Sequence, residues 1–128
     1  MKVLSPRAHG YLDYITVAAF GAAPTLFSLQ GIPRLVAYVL AAVHLVLTLL
    51  TDFRLGVARI VAFWIHGLLE LVVAVGLMAF PWFPGLSTDP GDRVFLVVAG
   101  IVILGVWLLT RYGGTSGEPD SEQKAAHP

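Results

Sequence analysis

The sequence predicts an all-α protein, a four-helix transmembrane bundle built from two tandem two-helix hairpins. Three observations carry that expectation. Apolar residues make up 57% of the 128 positions and charged residues 12%, too little polar surface for a soluble domain of this length. The apolar residues fall in four blocks, about 8–29, 35–51, 57–80 and 94–110, close to the roughly 20 residues a helix needs to cross a bilayer core. The second half of the chain also repeats the polar punctuation of the first. Backbone polarity leaves only helices or closed barrels in lipid, and apolar runs of this length exclude a barrel.

The first block follows Lys2 and Arg7 and carries His9 and Asp13. The basic flank invites a reading as a signal peptide, but Asp13 interrupts the apolar core such a segment needs. The second and fourth blocks are short, so those helices are expected to stand upright or to use flanking residues at the interfaces. Pro24 and Pro81 are expected to end or kink helices at the outer interface. Gly21, Gly67, Gly76, Gly100 and Gly105 are read as packing residues that let helices approach. The boundaries are then 1–55 for the first hairpin, 56–112 for the second, and 113–128 for a polar tail expected to be disordered.

Residues offset by 57 match across the halves: His9/His66, Gly10/Gly67, Leu12/Leu69, Asp13/Glu70, Ala22/Ala79 and Pro24/Pro81. After a two-residue insertion the offset becomes 59, pairing Arg34 with Arg93, Leu49-Leu50-Thr51 with Leu108-Leu109-Thr110, and Phe53 with Tyr112. Leucine matches are cheap in an apolar chain, whereas histidine, acid and proline in one register are not. An even number of spans gives both copies the same orientation, related by a pseudo-two-fold axis along the membrane normal. Helices 1 and 3 then either face each other near that axis or occupy opposite corners.

The stretches "HGYLDYIT", "TLLTDFRLGVAR" and "HGLLELVVAVGLMAFPWFPGL" resemble the SPW-repeat family of small bacterial integral membrane proteins. The resemblance covers most of residues 5–110. It implies two copies of a two-helix unit, each ending its first helix near a Ser-Pro-Trp triplet. Here the triplets read Ala23-Pro24-Thr25 and Phe80-Pro81-Trp82. What the resemblance implies is topology rather than mechanism.

Ionisable side chains at membrane depth are costly unless they pair or meet water. At about 1.5 Å of rise per residue, His44, His66, Asp13 and Glu70 converge in the cytoplasmic half of the bundle, with His9 nearer the interface. Three readings of this cluster stay open. In the first, His9 with Asp13 and His66 with Glu70 are i,i+4 hydrogen-bonding pairs that fix helix register. In the second, His9, Asp13, His66 and Glu70 hold a zinc, iron or manganese ion, or His44 and His66 ligate a haem. The higher position of His9 and the absence of a repeat partner for His44, whose counterpart is Ile103, weigh against both variants. In the third, the acids and histidines relay protons or pass a small solute.

The leading expectation is a non-enzymatic structural or accessory membrane subunit, without a required cofactor. It forms a homo-oligomer or packs in a larger membrane complex surrounded by lipid. Nucleotide-binding, hydrolase and zinc-protease motifs do not occur, nor does a basic stripe for nucleic acid. Without cysteine there are no disulfides, thiolate metal sites or cysteine nucleophiles. Lys2, Arg7, Arg54, Arg59, Arg111 and Lys124 lie on one side, and Arg34 and Arg93 on the other. That asymmetry predicts that both termini lie in the cytoplasm, and the resemblance implies the inner membrane of a bacterium.

Overall fold

A computed structural model of the chain describes residues 2–86 and 89–112. The tail 113–128 lies outside them. The described residues form α1 (Pro6–Leu26), α2 (Gly31–Leu50), α3 (Phe63–Ala79) and α4 (Pro90–Leu109), with a single 3-10 turn at Phe80–Trp82. The fold is an all-α four-helix bundle.

Local chemistry sets the helix starts. Ser5 Oγ accepts the Ala8 N–H at 3.2 Å, and Pro6 opens α1 where its missing N–H costs nothing. Asp89 accepts from the Gly91 and Asp92 N–H groups, and Pro90 opens α4. The sequence placed α2 and α4 at 35 and 94 and judged them short. Each begins about one turn earlier and runs 20 residues, because Pro33 and Pro90 occupy first turns that need no proline donor. Pro24 lies just inside the end of α1, and Pro81 sits in the turn that closes α3.

The third boundary needs a larger correction. Residues 57–62 are a loop, not the start of α3. Val57 and Ala58 donate their N–H groups to Leu49 O at 2.7 and 3.0 Å, and Ile60 and Val61 donate to Leu50 O at 2.9 and 2.8 Å. These bonds satisfy the last carbonyls of α2, which a helix cannot satisfy internally. Apolar composition misled here because the loop needs little side-chain polarity once its backbone is spent on α2.

Three segments, Gly31–Leu50, Phe63–Trp82 and Pro90–Leu109, are long and apolar enough to cross a membrane. Leu35, Val39, Val46, Val72, Val98 and Ile101 stand exposed on outward faces, a surface suited to lipid rather than water. Close helix contacts run within the hairpins α1/α2 and α3/α4. A core of Phe20, Ala23, Leu29, Ala37, Ala74, Leu77, Leu96 and Ile103 draws on both. Gly100 is needed for the α3/α4 approach, since a Cβ there would meet Ala74 O at 2.7 Å. Gly21, Gly76 and Gly105, read from the sequence as packing residues, have no neighbour within 4 Å of that position among the described residues.

One backbone stitch occurs twice between the hairpins. Leu4 N donates to Leu109 O at 2.8 Å, and Arg111 N donates to Leu4 O at 3.1 Å. At the symmetry-related seam Val61 N donates to Leu50 O at 2.8 Å, and Asp52 N donates to Val61 O at 2.7 Å. These residues stand in the register that relates the two halves of the sequence.

Candidate metal centre

His9 is the fourth residue of α1 and His66 the fourth residue of α3. With residues 57–62 removed from the helix, the two histidines are level. The expectation that His9 sits nearer the interface is thereby corrected. Their rings lie 5.5 Å apart, edge to face, so α1 and α3 face each other at the bundle centre. One turn further in, Asp13 and Glu70 complete the group.

The four residues form a closed ring of alternating nitrogen and oxygen. His9 Nε2 lies 3.1 Å from Asp13 Oδ1 and 3.2 Å from Glu70 Oε2. His66 Nε2 lies 3.5 Å from Asp13 Oδ2 and 3.6 Å from Glu70 Oε1. His44 Nε2 flanks the ring at 3.4 Å from Asp13 Oδ1. All five residues named from the sequence are brought together. Ligand atoms of His9, Asp13, His66 and Glu70 lie within 4.8 Å of one another, and all four residues are buried.

Threonines orient both histidines. Thr110 Oγ1 donates to Val106 O at 2.7 Å, and Thr51 Oγ1 donates to Leu47 O at 2.6 Å. With its only proton committed, each hydroxyl can only accept from the histidine beside it. His9 Nδ1 therefore donates to Thr110 at 2.8 Å, and His66 Nδ1 donates to Thr51 at 2.7 Å. The proton on Nδ1 leaves Nε2, in a neutral ring, as a lone pair aimed at the carboxylates. Despite their proximity, Nε2 of His9, His44 and His66 and Oδ2 of Asp13 are buried without a hydrogen bond.

The two acids are held differently. Tyr112 O–H donates to Glu70 Oε2 at 2.6 Å. Phe53, its counterpart in the first hairpin, has no hydroxyl, and Asp13 has His44 beside it instead. Burial, and then the Glu70 carboxylate, push the Tyr112 phenol above its ordinary range. Aromatic rings close the end of the cluster nearest the 51–62 loop. Phe63 stacks on Phe53 at 5.9 Å and meets Tyr112 at 4.9 Å and His9 at 5.3 Å. Gly10 and Gly67 have no side chain where the Phe53 and Tyr112 rings pack.

Sequence reasoning found the ring but missed its supports. Thr51, Thr110 and Tyr112 were visible only as matches between the halves, and that match was the available signal. Thr48, one turn on from His44 along α2, donates to the His44 carbonyl at 2.8 Å. Of the two histidines of the haem variant, Nε2 of His44 lies 3.4 Å from Asp13 Oδ1 and Nε2 of His66 3.5 Å from Asp13 Oδ2. No family model matches the chain, and neither a curated protein nor a solved structure does.

Proposed function

We propose that this is a small multi-pass membrane protein that binds a divalent first-row metal ion, zinc, iron or manganese, between α1 and α3. His9 and His66 supply Nε2, and Asp13 and Glu70 supply carboxylate oxygens. The observation that carries the reading is the set of buried ligand atoms converging from two helices, of which His9 Nε2, His66 Nε2 and Asp13 Oδ2 have no hydrogen bond. Ligand atoms held about 2.0–2.1 Å from a tetrahedral ion lie about 3.3–3.4 Å apart. The nitrogen–oxygen spacings of 3.1–3.6 Å, taken over both oxygens of each acid, bracket that separation, and one ligand atom from each residue lies within 4.8 Å of the others.

Charge and outer-shell support agree. A divalent ion balances Asp13 and Glu70 and leaves the histidines neutral, so the buried site carries no net charge. A ligating histidine ordinarily donates its other ring N–H to a fixed acceptor, as His9 and His66 do to Thr110 and Thr51. An all-nitrogen-and-oxygen set suits zinc, iron or manganese over softer ions. The competing structural reading needs each Nε2 joined to an acid by a hydrogen bond, and Nε2 of His9 and of His66 has none.

The exposed apolar faces that favoured an accessory subunit are faces lipid covers equally well, so they lend the partner reading no particular support. The aromatic closure by Phe53, Phe63 and Tyr112 does not favour a proton path toward that end. The doubled stitch and doubled histidine–threonine bond support a duplicated hairpin, as the SPW-repeat resemblance implies. Both termini are assigned to the cytoplasmic side on the charge asymmetry, and the membrane to a bacterial inner membrane on the SPW-repeat resemblance.

The test is elemental analysis of protein extracted mildly from membranes. Stoichiometric metal is expected in the wild type and its loss in His66→Ala and Glu70→Gln, with helical content retained. A wild-type protein that is metal-free and takes up neither zinc, manganese nor ferrous ion overturns the reading. It would leave the cluster as a histidine–carboxylate network that sets helix register.

A further inference from the structure

The clefts between the hairpins differ in one chemical respect. The α1/α4 cleft, about 750 Å³, is walled by apolar side chains apart from Thr16. The α2/α3 cleft, about 140 Å³, is bounded by Phe20, Leu40, Val43, Leu47, Leu69, Val73 and Ile103, but also by His44 and Glu70. In the register of the two halves, Ile103 is the counterpart of His44, so only this cleft has a histidine at that position. It meets the buried cluster directly.

Residual exposure agrees with that route. His9 and His66 are 0% exposed and Asp13 2%, whereas Glu70 is 5% and His44 11% exposed. The two most accessible members of the cluster are thus the two that line the cleft. Phe53, Phe63 and Tyr112 cover the other approach.

We propose that the α2/α3 cleft binds a small, uncharged, single-ring molecule bearing a hydroxyl, a phenol in chemical class, taken up sideways from the bilayer. The volume is close to the roughly 150 Å³ of an apolar cavity that accepts benzene. The apolar walls hold the ring. His44, whose buried Nε2 faces Asp13 and whose remaining ring edge lines the cleft, and Glu70, whose Oε1 is not the oxygen bonded by Tyr112, offer the hydroxyl polar partners. An anion of the same shape is excluded by the Glu70 carboxylate and the dry walls. The cleft and His44 do not need the metal, and Glu70 is common to both assignments, so metal uptake and the phenol titration are read separately.

The test is a fluorine NMR titration of para-fluorophenol into the protein in nanodiscs of uncharged lipid, with para-fluorobenzenesulfonate as the charged comparison. A saturable shift is expected with the phenol and none with the sulfonate. Val43 and Val102 occupy corresponding positions in the two clefts and both are exposed, at 55% and 57%, so neither substitution disturbs the core. Val43→Trp is expected to abolish saturation and Val102→Trp to preserve it. His44→Leu is expected to weaken binding about tenfold, the scale of one lost hydrogen bond. Partitioning no different from empty nanodiscs overturns the proposal, as does an equal response of the two tryptophan variants.

Discussion

At the scale of single residues, the account turns on which nitrogen of each histidine carries the proton. Thr51 and Thr110 settle it by donating to the carbonyls of Leu47 and Val106, which forces His66 and His9 to donate from Nδ1. Thr51→Val and Thr110→Val are therefore expected to weaken metal binding about 10- to 100-fold each, the usual effect of losing an outer-shell partner. Competition with a chromophoric chelator measures this, with circular dichroism as the check on folding. Tyr112 adds a pH signature. Its phenol is raised in the folded state by burial and by Glu70, so the stability it contributes is complete below about pH 10 and is lost above it. Denaturant melts should show the wild type losing stability above that pH faster than Tyr112→Phe. The histidines and acids were legible in the sequence because polar residues stand out in an apolar chain. The threonines and Tyr112 were not, because a hydroxyl at a helix end is ordinary until the partner across the bundle is known. Tyr112 and Glu70 are 42 positions apart.

Among the elements, α3 was where sequence reasoning and structure parted. The apolar run begins near residue 57, but the helix begins at Phe63 because the preceding loop caps α2. That difference is more than one turn. It decides whether His66 lies level with His9 and hence whether a joint site exists. The other helices were legible to within about a turn, since their apolar blocks and breakers coincide with real ends. Tight contact at the start of α3 yields a prediction. A Cβ at Gly67 would lie 2.5 Å from the Tyr112 ring, so Gly67→Ala must displace that ring from Glu70. A loss of about 1–3 kcal/mol is expected from overpacking, read from reversible denaturation. Metal affinity should fall with it.

At the scale of the whole molecule, two hairpins face each other through polar residues that neither satisfies alone. Each histidine's threonine belongs to the opposite hairpin, and each ring nitrogen reaches the acids of both. The assembled bundle, rather than either half, makes the cluster tolerable in a membrane. Because the chain has no cysteine, single-cysteine variants report its orientation cleanly. For the orientation proposed from the charges, an impermeant maleimide applied from the outer face is expected to label Phe83→Cys and to spare Val57→Cys, and the opposite labelling would reverse that orientation. The central claim, that α1 and α3 together hold a metal, is tested most directly by X-ray absorption on the zinc-loaded wild-type protein. The expected spectrum has nitrogen and oxygen ligands at about 2.0–2.2 Å and outer-shell scattering from two imidazoles, which disappears in the His9→Ala, His66→Ala double variant. A spectrum of hydrated zinc without imidazole scattering, identical in wild type and variant, would contradict it.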